Sequence, residues 1–361
     1  MTDVFIVGGG PVGLAAAIAA RRKGFSVTVA DASEPPIDKA CGEGLLPQGV
    51  AAAQALGINL TDIPSFPLRG IRFHGANTHG LRTSVEADFP TNRGMGIRRT
   101  VLHKALVEHA AREGIDLRWR TPSGDLSSVK ARWIIGADGM NSGVRSLAGL
   151  SATHRNTQRF GFRRHAGVAP WSNFVEIYWT QGLQVYVTPV AADEVGIAVL
   201  TRNPKQRVDE ALGHFPDLAA RVRQAPSRSS ERGAVTVCRV LKQVTRGNTA
   251  LVGDASGSVD AITGEGLALG FHQAMELAEA MARNDLSLYE TAHKRLARRP
   301  HFMANFMLTM DQRAWLRNRA IPALAARPEI FRRLLEMHVG AANPPRFAVD
   351  CLALGWQMLG V

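Results

Sequence analysis

Gly8-Gly9-Gly10-Pro11-Val12-Gly13 joins the apolar run Val4–Val7 to a stretch with helical spacing, and it satisfies GxGxxG. Glycine at position 10 lets backbone approach a pyrophosphate, while Gly8, Pro11, Val12 and Gly13 carry the chain into the first helical turn. There, unpaired N–H groups and the positive end of the helix dipole favour an anion. Asp31 stands 18 residues beyond Gly13, where an acidic side chain accepts ribose hydroxyls and disfavours a 2′-phosphate. The chemistry is the binding of an ADP group, in FAD or in NAD. A second stretch, Lys39-Ala40-Cys41-Gly42-Glu43-Gly44, sets a thiol and two charges among glycines that admit close backbone approach.

Such groups need elements to hold them. An apolar strand, the glycine turn, a helix ending near Gly24 and a second strand ending on Asp31 form a βαβ unit, which predicts a doubly wound sheet with parallel strands. A helix over 98–114, a strand over 115–120 and a buried strand over 131–136 extend it. From about 155 to 247 the texture becomes alternating β segments, expected to form a mainly antiparallel sheet, with a helix near 205–223. Residues 248–256 return to strand-then-glycine, 266–282 have helical spacing, and the remainder is expected to be helical to near Pro344.

Further motifs decide between the two dinucleotides. Gly136-Ala137-Asp138-Gly139-Met140-Asn141-Ser142-Gly143-Val144-Arg145 matches GADGxxSxVR, Gly253-Asp254 follows an apolar strand, and Arg99-x-x-Leu102 opens the long helix. Together with the fingerprint they resemble the FAD-dependent superfamily around p-hydroxybenzoate hydroxylase and geranylgeranyl reductase. Asp260-Ala261-Ile262-Thr263-Gly264-Glu265-Gly266-Leu267 and the 39–45 stretch are similar to its geranylgeranyl reductase-like branch. Two departures stand out: Ala261 where that branch usually has proline, and Glu43 where it usually has glycine. The resemblance implies FAD as cofactor and NADH or NADPH as a transient electron donor. It further implies that Asp254 holds the ribityl chain and that Arg99, Lys39, Cys41, Gly42 and Gly44 lie on the flavin side. Asp138, Gly139 and Arg145 would support the pyrophosphate. The turn Thr263–Gly266 enters a helix whose N–H groups can face the electron-rich edge of the ring. Cys41, Glu43 and Glu265 are the flavin-side catalytic candidates. Cys41 has two competing roles, a packing group beside the ring or a thiol that tunes it.

The expected organisation is a discontinuous FAD-binding domain (1–68, 94–153, 248–283), an inserted β-sheet substrate domain (69–93, 154–247) and a C-terminal helical region (284–361). Phe160, Phe162, His165, Trp179 and Tyr186 are the candidates for substrate contact, and strand alternation puts Tyr178 and Trp179 on opposite faces. The segment Phe302, Met303, Phe306, Met307, Met310 reads as core packing, and the short β domain suggests no long lipid tunnel. The leading expectation is an NAD(P)H-using monooxygenase of secondary metabolism that hydroxylates a hydrophobic aromatic or polyketide-like molecule through a flavin C4a-hydroperoxide. The alternative is a reductase that saturates prenyl double bonds; a different class is an FAD-containing protein that binds a membrane or partner.

Composition sets the outer limits. The chain has 361 residues, 45% hydrophobic and 20% charged, as expected for a globular protein with a sizeable core. Cys41, Cys238 and Cys351 are few and far apart, which fits a reducing, cytoplasmic setting and no disulfide framework. No metal-ligand spacing, signal-peptide pattern or membrane-spanning run is seen. The net charge is +12, and residues 283–346 hold 12 Arg/Lys against 5 Asp/Glu. Solvated helix faces account for that excess, or a peripheral contact with an anionic membrane; nucleic-acid binding is not expected, since stacking aromatics are not interleaved.

Overall fold

The structure is a computed structural model, and it describes residues 2–76, 82–122, 129–150, 152–154, 158–341 and 353–358. Cys351, most of the closing apolar stretch and parts of the expected domains lie outside the described residues. The first strand, Thr2–Val7, is central to a six-stranded sheet, flanked by Val27–Ala30 and Ala131–Gly136 in parallel register. Asp116–Arg118 closes one edge and Thr249–Leu251 with Thr245–Arg246 the other, giving a Rossmann-like α/β core. Central strands of such a sheet are apolar because helices cover both faces. Here the helix Pro11–Arg22 presents Leu14, Ile18 and a run of alanines to it, all buried.

Small residues let that helix approach the first strand and the helix Gly266–Ala282 closely. A Cβ on Gly13 would lie 1.9 Å from the Gly8 carbonyl oxygen, and one on Gly270 2.4 Å from Val12 Cγ2. Gly13 therefore serves helix–strand packing, and its absence from the cavity wall described below follows from this.

The second sheet has seven strands in the order Arg232–Thr236, Arg159–Ala166, Glu194–Thr201, Leu183–Ala191, Phe174–Thr180, Gly70–Ala76, Arg82–Asp88. Every neighbouring pair is antiparallel except Phe174–Thr180 with Gly70–Ala76. Strands from before and after the 94–153 region thus share one sheet. One face packs Val185, Val187, Ile197 and Val199 under the short helices Val208–Leu212 and Pro216–Val222. The other face packs Ile71, Ile177 and Trp179 against the C-terminal helices Leu286–Gln312, Ala314–Ala326 and Pro328–His338 and the helical residues 353–358. Because both faces are covered, Leu183–Val190 is buried without alternation.

Gly13→Ala is expected to lower the unfolding free energy by about 1–3 kcal/mol, as overpacking against backbone does, and urea unfolding monitored by circular dichroism reads it directly.

Candidate functional site

One cavity of about 720 Å³ runs between the parallel sheet, the second sheet and the C-terminal helices. Its polar end is built by the loops leaving parallel strands. Gly8, Gly10, Pro11, Val12 and Asp31 line it, with Asp138, Gly139, Gly253 and Asp254. Asp31 Oδ2 accepts from Gly9 N at 2.7 Å and Oδ1 from Ser33 N at 2.7 Å, which fixes the carboxylate at the strand end with lone pairs to spare. Asp254 faces Lys39 across the cavity with Nζ–Oδ2 at 3.0 Å. The turn Gly253–Ser256 that carries Asp254 is braced from behind: Gln273 Oε1 accepts from Gly253 N, Tyr289 donates to Leu251 O, and His293 Nε2 lies 2.9 Å from Ser256 Oγ.

The middle of the cavity is framed by two glycine turns. In the first, Cys41, Gly42, Glu43 and Gly44 reach the wall beside Arg99. Thr188 Oγ1 donates to Gly42 O at 2.8 Å, and Gly44–Leu45 pairs with Gly94–Gly96. Glu43 has a left-handed backbone, φ 59°, unusual for a residue with a Cβ. Its carboxylate is buried and turned to the protein: Oε1 accepts from Arg99 N at 2.9 Å and Oε2 meets His165 Nε2 at 2.5 Å. His165 Nδ1 in turn lies 2.7 Å from Ser229 Oγ, and the neighbouring buried Arg163 bridges to Asp38. In the second turn, Gly264 is left-handed (φ 67°) and Gly264, Gly266 and Leu267 line the cavity. Glu265, buried, instead turns away from the cavity to Arg299 Nη2 at 3.0 Å and Gln48 Nε2 at 3.4 Å, with His338 Nδ1 at 3.6 Å. Ala261 N donates to Thr236 Oγ1 at 3.1 Å, a bond that proline at this position lacks, so the turn keeps an anchor. Asp260 caps Ile262 N and is held by Arg159 Nη2 at 2.6 Å, a pair buried on both sides.

The wall fits a flavin dinucleotide. A Cβ on Gly10, Gly42, Gly139, Gly264 or Gly266 would meet no atom within 4 Å, so bare backbone borders open space along the cavity. Arg99 Nε and Asp138 Oδ1 are buried on the same wall without a hydrogen-bond partner. Gly10–Val12 and Asp31 would hold the ADP half, Asp254 and Lys39 the middle, and the 41–44 and 263–266 turns the ring. Burial pushes the Cys41 thiol up, so it stays protonated at neutral pH, and Glu43 N donates to its Sγ at 3.4 Å.

The far end is apolar. Ile71, Phe73, Ile177 and Trp179 of the second sheet form its floor, and Met303, Met307, Ile321 and Phe331 of the C-terminal helices its roof. Met303, Phe306, Met307 and Met310 therefore line a cavity rather than only filling a core, which corrects the sequence-based expectation of core packing alone. Phe162, Trp179 and Tyr186 line the cavity; Phe160 and His165 do not. Phe160 stands off the wall although it shares a strand face with Phe162, and His165 is committed to Glu43. Tyr178 packs on the opposite face against Phe215, as alternation requires. Arg145 is also off the wall, donating to Ala255 O at 3.0 Å and Met140 O at 2.8 Å, where it clamps two cofactor-side turns together. Arg163, Asp38 and Arg159 escaped notice in the sequence, although charges inside the strand Arg159-Phe-Gly-Phe-Arg-Arg-His165 were a legible signal for buried pairs. Among the described residues no group of His, Cys, Asp and Glu could hold a metal, and no helix is long and apolar enough to cross a membrane.

Two expected outcomes follow from these braces. Glu43→Ala strands His165 and Arg99 N and should cost about 3–5 kcal/mol in urea unfolding, with Glu43→Gln, which keeps an acceptor, costing less. Burial holds His293 down at about 4 against an ordinary 6.5. The unfolded chain then binds the extra proton between those values, so stability is full above pH 6.5 and falls as pH drops toward 4. Unfolding midpoints of wild type and His293→Gln measured at pH 7 and 4.5 should show the larger acid loss in wild type.

The profile of the FAD binding domain family matches residues 1–124 and 120–298. The chain is 28% identical to the menaquinone reductase of Mycolicibacterium smegmatis over 80% of its length and 78% of that protein. It is 28% identical to digeranylgeranylglycerophospholipid reductase 1 of Methanothermobacter thermautotrophicus, covering 81% and 80%. It is 27% identical to the 6-methylpretetramide 4-monooxygenase of Streptomyces rimosus, covering 79% and 77%. In fold it is similar to p-nitrophenol 4-monooxygenase from Pseudomonas putida DLL-E4, with a TM-score of 0.77, 18% identity and coverage of 95% and 99%.

Proposed function

The chain belongs to the FAD binding domain family and is an FAD-dependent oxidoreductase, and on that premise we propose that it adds hydrogen across a carbon–carbon double bond of a long apolar, isoprenoid-type substrate. The observation that carries this is the apolar far end of the cavity, floored by Ile71, Phe73 and Ile177, roofed by Met303, Met307 and Ile321, and continuous with the 41–44 turn. A hydrocarbon chain is bound there by burial alone, at roughly 25 cal/mol per Å² of apolar area. The matching reductases, one of which acts on digeranylgeranylglycerophospholipid, support the same substrate class.

FAD, when bound and reduced, supplies a hydride, and NADH or NADPH is the donor that reloads it. The chain's own part is positional. Asp31 and Gly10–Val12 hold the nucleotide, the two glycine turns hold the ring, and the roof helices exclude water. Cys41 carries a proton on Sγ at the cavity wall; its transfer would supply the second hydrogen that saturation of the double bond consumes, and the thiolate would regain a proton from water once the product has left. The C-terminal helices bear exposed Trp315 in an arginine-rich segment, with exposed Trp356 beyond it, which suits contact with an anionic membrane that stores such substrates.

A second reading, hydroxylation of an apolar ring system, is favoured by the monooxygenase relative from Streptomyces rimosus. The deciding experiment incubates FAD-loaded protein, electron donor and an isoprenoid lipid in anionic vesicles under argon, at low and high salt, with mass spectrometry of the lipid. Gain of two hydrogens without oxygen is expected, faster at low salt. Product that carries a new oxygen atom and forms only in air overturns the reductase reading, and salt-independent rates overturn the membrane contact.

A further inference from the structure

The far end of the cavity also bears on which isoprenoid it takes, an inference that rests on the reading above. Val175 marks the near end of the floor: its Cγ2 lies 3.4 Å from where a Cβ on Gly44 would stand. Trp179 is four residues further along the same strand, about 13 Å away at roughly 3.3 Å per residue. Phe73 pairs with Ile177 in the neighbouring strand and so sits between those two levels.

At this depth floor and roof touch. The Phe73 ring meets Phe331 of the roof edge-on with centroids 5.6 Å apart, and Trp179 at 5.9 Å. Rings in contact leave no passage for a hydrocarbon chain between them. Beyond Phe73 the roof comes down on the sheet again, since a Cβ on Gly75 would lie 2.5 Å from Ile321 Cδ1. Nor is Trp179 free to swing aside. Its Nε1 donates to Asp311 Oδ1 at 2.9 Å with both groups buried, and Arg202 holds the other carboxylate oxygen at 3.4 Å.

We propose that Phe73, Trp179 and Phe331 form an aromatic stop that limits how much isoprenoid chain the cavity accepts beyond the flavin-side turn. These residues set specificity by length, and they stand away from the cofactor end.

The test titrates FAD-loaded protein with geraniol, farnesol, geranylgeraniol and longer homologues, following binding by calorimetry and by quenching of tryptophan fluorescence. In wild type, affinity should rise with chain length up to the stop and then fall. Phe331→Ala should tighten binding of the first rejected homologue by roughly tenfold. Phe73→Leu, a milder change, should move the optimum in the same direction, and thermal melts confirm that each variant is folded. An unchanged length profile in folded variants overturns the stop while leaving the isoprenoid reading intact. Failure of wild type to bind any isoprenol defeats that reading, and the stop with it.

Discussion

Glu43 and Glu265 stand in the two glycine turns that frame the middle of the cavity, and burial obliges each carboxylate to find a partner. An unpaired buried charge costs several kcal/mol, so neither side chain can simply face an apolar space. Both turn away from the cavity. Glu43 is taken by His165 of the second sheet and by Arg99 N of the parallel-sheet domain, Glu265 by Arg299 of the C-terminal helices and by Gln48. The same bonds that satisfy the charges therefore tie all three layers together at the point where a flavin ring would rest. They also leave glycine backbone as the surface presented to the cofactor.

The cavity draws on different physics at its two ends. The dinucleotide end is made of backbone and a few fixed carboxylates at strand termini, where the parallel sheet exposes loops. The apolar end is made of side chains from a sheet covered on both faces and from helices rich in methionine and leucine, residues that fill irregular space well. The protein shares its fold with a monooxygenase of 18% identity, so the backbone alone does not choose between hydroxylation and reduction. That choice lies in what lines the far end and in what the 41–44 turn presents to it.

Much of the cofactor end was legible in the sequence, because its determinants are local. Gly10 is open to the cavity, Asp31 sits at the second strand's end, and the left-handed Gly264 ends its turn two residues before the helix, each as spacing within a few residues implies. The same local logic misplaced side chains whose direction depends on distant partners. Glu265 lies inside the most informative motif yet faces Arg299, some thirty residues on. Arg145 ends a cofactor motif yet bonds to backbone rather than lining the cavity. His165 and Phe160 belong to a strand that does border the cavity, but the register of that strand gives the wall to Gly161, Phe162 and Arg163.

The sequence by itself determined the doubly wound core, the cofactor class and the turns that border it, since strand, glycine turn and helix are specified by neighbours along the chain. Tertiary structure decided where Glu43 points and that the helices from Leu286 onward roof the cavity. Helical spacing shows that Met303, Met307 and Met310 share a face; it does not show whether a sheet or an open space stands opposite. That depends on how far the roof is held above Phe73 and Trp179, a distance set by Phe331, Ile321 and Asp311 together.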